Sequence, residues 1–300
     1  MSIIEQIGSD QLDKIEDIQL GKNDTATVIQ KKETNKQYLK ISHDCKSNEN
    51  KLKIENCPLF LKLIGSSTEE TDNDKMIQNL FFEYPKNKSL KQFIQSNGYE
   101  GLTSTQKYII LYGIARIMSY LYSHGIVYRF LRPDTIFLDQ YLFPKIGNFT
   151  WANEKNGQKT QNPPIDFKYS DDQTYRKRIL NEKTDVYSYA TIAYKILSNK
   201  EPSTLQGGFL YNNRRPQLDE NAYPRCYQKL INNCWSKDIK ERFTFDRILH
   251  ELKTNPDFIT EKVNKEMFFE YIKCVDSDQE YANLPVFKNE IVDLKQYSKR

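Results

Sequence analysis

One patterned stretch, His124–Leu138, reads HGIVYRFLRPDTIFL, and its residue types bear on whether a proton could be taken or a metal held there. Its carboxylates are few: Asp134 inside it and Asp139 just beyond. Phe130, between the basic and apolar positions of the pattern, has no lone pair, no charge and no titratable proton. It cannot be a general base, a role that contributes on the order of 10²–10⁴-fold where it is positioned. Thr135 offers a short neutral hydroxyl, and Asn148 offers an uncharged amide oxygen. Magnesium favours hard anionic oxygen and is usually held by at least one carboxylate, so no metal is expected on this set. Asp134 or Asp139 standing in as base or ligand is the alternative. Zinc is not expected either. The three histidines are not joined by any C-x-x-C, and the five cysteines (Cys45, Cys57, Cys226, Cys234, Cys274) are odd in number and far apart. They read as the reduced thiols of a cytosolic protein.

Residues 124–138 resemble the catalytic loop of the protein kinases, H-R-D-L-x-x-x-N followed by two apolar residues. On that pattern Arg129 and Leu131 match, Tyr128 replaces the histidine and Thr135 the asparagine, and Phe130 stands at the aspartate. Asn148-Phe149-Thr150 stands at D-F-G. In the family the loop aspartate accepts the substrate hydroxyl proton, while the loop asparagine and the D-F-G aspartate hold the metals. The resemblance therefore implies no catalytic residues and no metal, with Phe130, Thr135 and Asn148 as degenerate positions.

The same resemblance assigns a small lobe. G-x-G-x-x-G-x-V falls on Gly21, Asn23, Ala26 and Val28, where only the first glycine survives. Glycines there let backbone N–H groups approach phosphates. Lys40 is identified as the strand lysine of V-A-I-K, and Tyr38 as the residue lying against adenine. Phe137 is the ring on the other side of that slot. Phe81-Phe82-Glu83-Tyr84 resembles the hinge, with Phe82 as gatekeeper. The vestigial pocket is thus Gly21, Val28, Tyr38, Lys40, Phe82 and Phe137. Tyr38 and Phe137 facing each other would fill the volume the base needs, so ATP is not expected as a cofactor. The helix partner of Lys40 falls on Asn48, one residue from Glu49. That slip turns a side chain by about 100°, which leaves Glu49 or no residue at all.

The elements that must position these residues follow from periodicity and caps. Ile18–Ile41 alternates as three strands with turns at Asn23-Asp24 and Thr34-Asn35. Leu59–Gly65 reads as a strand, Ser66–Asp74 as a loop and Met76–Glu83 as a strand. Capping boxes at Ser89/Gln92 and Thr103/Gln106 open a short helix, Leu90–Ile94, and a long one to about Ser123. The long helix carries Tyr108, Leu111, Ile114, Ala115, Met118 and Leu121 at helical spacing. Its end, Gly113–His124, resembles the tyrosine-kinase and tyrosine-kinase-like groups. Thr184–Ala190 is similar to S-D-V-Y-S-F-G, which implies that Asp185 holds the catalytic-loop backbone. Gln173 takes the glutamate's place of A-P-E opposite Arg242. Tyr128 and Phe149, with Leu63 and Leu52, are expected to stack as an apolar column between the lobes.

Three hundred residues, 38% of them hydrophobic, suffice for one large core or two lobes. The expected fold is α+β and bilobal: a small lobe with an antiparallel sheet and one helix (about 15–84), and a larger, mainly helical lobe (about 85–252). A C-terminal extension, 253–300, carries an amphipathic pattern over Asp257–Val275 that either packs on the large lobe or docks in a partner's groove. The net charge of +4 is dispersed. Arg176-Lys177-Arg178 and Arg214-Arg215 read as solvated surface, and no basic stripe interleaved with aromatics suggests nucleic acid. No signal peptide, membrane span or myristoylation pattern is visible. The function these observations imply is that of a pseudokinase, a cytoplasmic scaffold or allosteric regulator in signalling. Its partners would be other proteins, a genuine kinase among them. The alternatives are an atypical active phosphotransferase and a metal-independent ATP switch.

Overall fold

The computed structural model describes residues 5–6, 11–19, 25–44, 59–70, 76–155, 163–164, 166, 168–200, 215–259, 264 and 266–267. Six strands form the first layer: β1 (Glu5–Gln6), β2 (Leu12–Gln19), β3 (Thr25–Lys31), β4 (Gln37–Asp44), β5 (Leu63–Glu70) and β6 (Met76–Glu83). Their order is β1-β5-β6-β4-β3-β2. The short β1 runs parallel to β5, and every other pairing is antiparallel. The β3–β4 turn falls where Thr34-Asn35 signals it. Asn35 takes φ 55°, a left-handed conformation that asparagine tolerates, and Lys31 N donates to Lys36 O at 2.9 Å. The strand expected from Leu59 begins instead at Leu63 and continues to Glu70, so Ser66–Glu70 is paired rather than loop. Leu59–Leu61 serves the lobe below: Leu61 N donates to Ile146 O and Ile146 N to Leu59 O, both at 3.0 Å. The expected helix of the small lobe, with Glu49 and Leu52, lies outside the described residues.

The second layer is helical. Here α1 (Leu90–Asn97) starts at a Ser89/Gln92 capping box and stops at Gly98, φ 68°. It runs beyond Ile94 because nothing before Gly98 breaks it. The twenty-residue α2 (Ser104–Ser123) starts at the Thr103/Gln106 box, with both reciprocal bonds formed. Its six predicted apolar residues are fully buried. Beyond it come β7 (Ile126–Val127), β8 (Ile136–Leu138), β9 (Pro144–Ile146), β10 (Asn153–Glu154), α3 (Asp172–Lys177) and α4 (Glu182–Ser198). The buried run of α4, Thr184 to Leu197, fits its nearly all-apolar sequence. Among the described residues two further helices follow, α5 (Arg225–Cys234) and α6 (Phe245–Thr254), each with buried apolar residues on one side. Past α6, Phe258 is buried and its carbonyl accepts from Tyr227 Oη at 3.1 Å; Met267 packs on the same core. Apart from 253–259, 264 and 266–267, the extension lies outside the described residues. Among those described, no helix is long and apolar enough to cross a membrane.

Candidate functional site: a remodelled interlobe cleft

The loop between β7 and β8 is held from beneath by α4. Asp185, fully buried at the helix's first turn, accepts a hydrogen bond from Arg129 N at 2.9 Å and another from Tyr122 Oη. Arg129 takes φ 69°, and this anchor pins that strained turn. Burial pushes the Asp185 carboxyl up to about 6 against the hydrogen bonds that favour its charge, while burial and the neighbouring Asp185 carboxyl raise Tyr122 well above its ordinary value. Asp185 thus fixes backbone, the role its surroundings imply.

Phe130 is 4% exposed and belongs to the large-lobe core. Its ring lies between the Arg132 guanidinium, 5.1 Å from the centroid, and Trp151, at 6.3 Å. No proton acceptor projects from that position. Thr135 is equally occupied. Its hydroxyl lies within hydrogen-bond distance of Phe130 O (3.2 Å) and Arg132 O (3.1 Å), and it accepts from Arg132 N (3.3 Å). Asn148, at φ 53°, turns its Oδ1 to Thr150 Oγ1 (2.5 Å) and Thr150 N (3.4 Å). Its Nδ2 is buried with no partner among the described residues. What remains at this position is an N–H donor, the wrong polarity for a cation.

Neither alternative carboxylate is free for such work. Asp134, 2% exposed, sits 2.7 Å from Lys91 Nζ and 3.3 Å from an Arg132 nitrogen. Asp139 closes the β8–β9 turn by accepting from Tyr141 N (2.8 Å) and Phe143 N (2.9 Å), and burial raises its carboxyl. Among the described residues no group of three histidine, cysteine or acidic side chains could hold a metal.

The slot itself departs from the sequence expectation in register. Phe137 packs with Val28, Leu39, Ile41, Leu61 and Phe82, and Ala26 joins them. Tyr38 packs on the other face of the sheet, with Ile29 and Phe81. The pairing explains it: Leu39 is opposite both Val28 and Phe82, while Tyr38 is opposite Ile29 and Glu83. Neighbours along a strand point to opposite faces. Tyr38 therefore does not face Phe137, and Leu39 does. Lys40 likewise shares the outer face, its Nζ 3.7 Å from Glu69, and the cleft-facing residue two after Leu39 is Ile41. Of the expected pocket residues, Val28, Phe82 and Phe137 come together, Tyr38 and Lys40 do not join them, and Gly21 lies outside the described residues. The floor is tight. A Cβ on Gly147 would lie 2.7 Å from Leu61 Cδ1 and 2.8 Å from Phe137 Cε2.

An aromatic column crosses between the lobes, built differently from the one expected. Tyr128 meets Phe149 edge-on (5.5 Å between centroids), and Phe149 meets Phe60 (5.0 Å). Phe60 is the ring that meets Phe149, while Leu63 packs in the small-lobe cluster and Leu52 lies outside the described residues. Tyr128 adds an anchor, its Oη donating to Gly147 O at 2.5 Å. Arg242 also has a partner other than the one expected. Its Nη1 makes a buried ion pair with Asp171, whose Oδ1 caps α3 through Thr174 N at 2.6 Å. Asp171 supplies the carboxylate that Gln173 lacks. The sequence signal was the Asp-x-x-Thr spacing of a cap.

These features coincide in one known architecture. Residues 1–252 match the protein tyrosine and serine/threonine kinase family. The chain belongs to that family. It is 31% identical over 157 residues, half of its length, to a probable serine/threonine-protein kinase of Dictyostelium discoideum. It is 26% identical over 210 residues, 68% of its length, to the dual specificity protein kinase pyk3 of the same organism. To the serine/threonine-protein kinase VIK of Arabidopsis thaliana it is 26% identical over 211 residues, 65% of its length. It spans 12% and 15% of the two Dictyostelium kinases and 47% of the Arabidopsis one.

Proposed function

We propose that this kinase-family chain is a catalytically inactive member, a pseudokinase of the tyrosine-kinase-like group, that works by contact with other proteins in the cytoplasm. The finer group rests on Gly113–His124 alone. The observation that carries the reading is the fate of three positions. Phe130 has no basic atom, the Thr135 hydroxyl is spent on the loop's own backbone, and the Asn148 oxygen is turned onto Thr150. Magnesium and nucleotide do not fit this donor set, because among the described residues Phe130, Thr135 and Asn148 offer no carboxylate where phosphates would be bridged. Packing supports the same conclusion: Leu39, Phe82 and Phe137 fill the slot, and Ile41 faces the cleft in place of a cation. A scaffold or an allosteric regulator of a genuine kinase is the role left to such a domain, by analogy of fold.

The three relatives described above, all named as kinases, favour the competing reading of an atypical active enzyme. Thermal melting with ATP, with and without Mg²⁺ or Mn²⁺, together with transfer of labelled γ-phosphate, separates the two. The expected result is no saturable shift and no transfer. Transfer would establish the enzyme, and a saturable shift insensitive to EDTA would establish a metal-independent nucleotide switch.

A further inference from the structure

An ion pair crosses the mouth of the interlobe slot, and no step of the reading above uses it. Lys88 Nζ lies 2.7 Å from Glu16 Oε1, between residues 72 positions apart in the chain. Glu16 belongs to β2 and is paired with Val28 across the sheet. It stands two residues before Ile18, which packs in the slot cluster with Val28 and Phe137. Glu16 therefore lies on the slot side of its strand. Lys88 lies across the opening, in the segment between β6 and α1.

That segment is fastened to the large lobe. Asn87 N donates to Leu138 O at 3.2 Å, Leu138 N donates to Lys88 O at 2.9 Å, and Ser89 forms a β-bridge with Phe137. Lys88 turns through φ 59°, a left-handed conformation that lysine adopts at a cost and glycine or asparagine more readily. From that turn its ammonium reaches back over the opening to the carboxylate. Tyr84, in the same segment, packs at the edge of the slot cluster. Donating to Glu16 raises the Lys88 ammonium above its ordinary value, and burial raises the Tyr84 phenol, so a charged pair sits beside a neutral ring. A second ion pair at this junction, Lys145 of β9 with Glu83 at the end of β6 (2.7 Å), holds the pivot. Among the described ion pairs, Glu16–Lys88 is the one that ties β2 to the large lobe.

We propose that Glu16–Lys88 is a clasp that holds the small lobe down on the large one, so that this pair sets how readily the lobes part. Each side chain is 40% exposed, which makes the pair one that salt or a competing charge can break. The strained turn at Lys88 is explained by the same role, because it is what carries the cation to the far side of the slot. The inference stands whether or not the chain transfers phosphate, and its test contains no nucleotide, so the two readings can fail separately.

The test is hydrogen–deuterium exchange of the intact chain at low and high salt, read by mass spectrometry in peptides covering β2 and β3, with α2 as the internal reference. In the parent, exchange in β2 and β3 should quicken about two- to fivefold at high salt, while α2 stays unchanged. Lys88→Asn removes the cation and eases the left-handed turn. It should exchange at the fast rate already at low salt, lose most of the salt response, and melt close to the parent's temperature. Glu16→Lys should loosen β2 in the same way, and adding Lys88→Glu to it should restore slow exchange. Exchange in β2 that is indifferent to salt and to Lys88→Asn overturns the proposal, as does a combined swap that exchanges as fast as Glu16→Lys alone. Faster exchange throughout the chain, α2 included, with a lowered melting temperature would assign the pair to general stability and overturns it as well. Should a variant fail to fold, the salt series on the parent decides.

Discussion

Phe130 stands where the proposed reading needs a base to be missing, and there it helps to hold the fold together. Its ring is part of the large-lobe core, so restoring an aspartate is costly in packing and in charge burial. Phe130→Asp is expected to destabilise the chain by roughly 3–5 kcal/mol in urea melts, without conferring γ-phosphate transfer. Recovery of transfer by that change alone would mean that the filled slot and lost ligands do not matter. Asp185 carries a second prediction at this scale. Its folded pKa, about 6, lies above the ordinary 3.8, so its protonated form is the one the fold prefers. Its contribution to stability is full below about 3.8 and is lost as pH rises through about 6. Between pH 4 and 7 the parent chain should shed about 3 kcal/mol through this group. Asp185→Asn should flatten that part of the pH–stability curve; an unchanged slope would assign the titration elsewhere.

Elements explain what was legible in the sequence and what was not. Both large-lobe caps, Ser89/Gln92 and Thr103/Gln106, could be read because side-chain spacing alone determines them. The order of motifs and the burial of α4 were legible for the same reason. The register of β4 was not. Tyr38 and Lys40 alternate with Leu39 and Ile41, and the sheet buries Tyr38 on one face and Leu39 on the other, so period-two alternation offers no means of choosing. The A-P-E counterpart failed differently: counting fixed Gln173, while the guanidinium of Arg242 pairs with Asp171, a carboxylate that also caps a helix. That double duty makes α3 sensitive to Asp171. Asp171→Ala should cost about 3–5 kcal/mol, because it removes the cap and strands a buried arginine. Asp171→Asn, which keeps an acceptor for Thr174 N, should cost less; equal losses in denaturant titrations would show that the cap is immaterial.

At the scale of the molecule, the two lobes share one apolar seam. Phe137 is carried by β8 of the large lobe yet packs in the small-lobe cluster, and Phe60 reaches the opposite way to Phe149. Unfolding one lobe would expose the other's core. Calorimetry should therefore record a single transition with matching van't Hoff and calorimetric enthalpies, and two separate transitions would show that the seam is weak. Gly147 bears on the same seam, because its missing Cβ is what lets Leu61 and Phe137 close over it. If the slot is closed to nucleotide as proposed, resin-bound adenine mimics should fail to retain this chain from a cell extract. On that reading its cellular abundance and associations are better followed through a tag or an antibody than through a drug-like handle built on adenine.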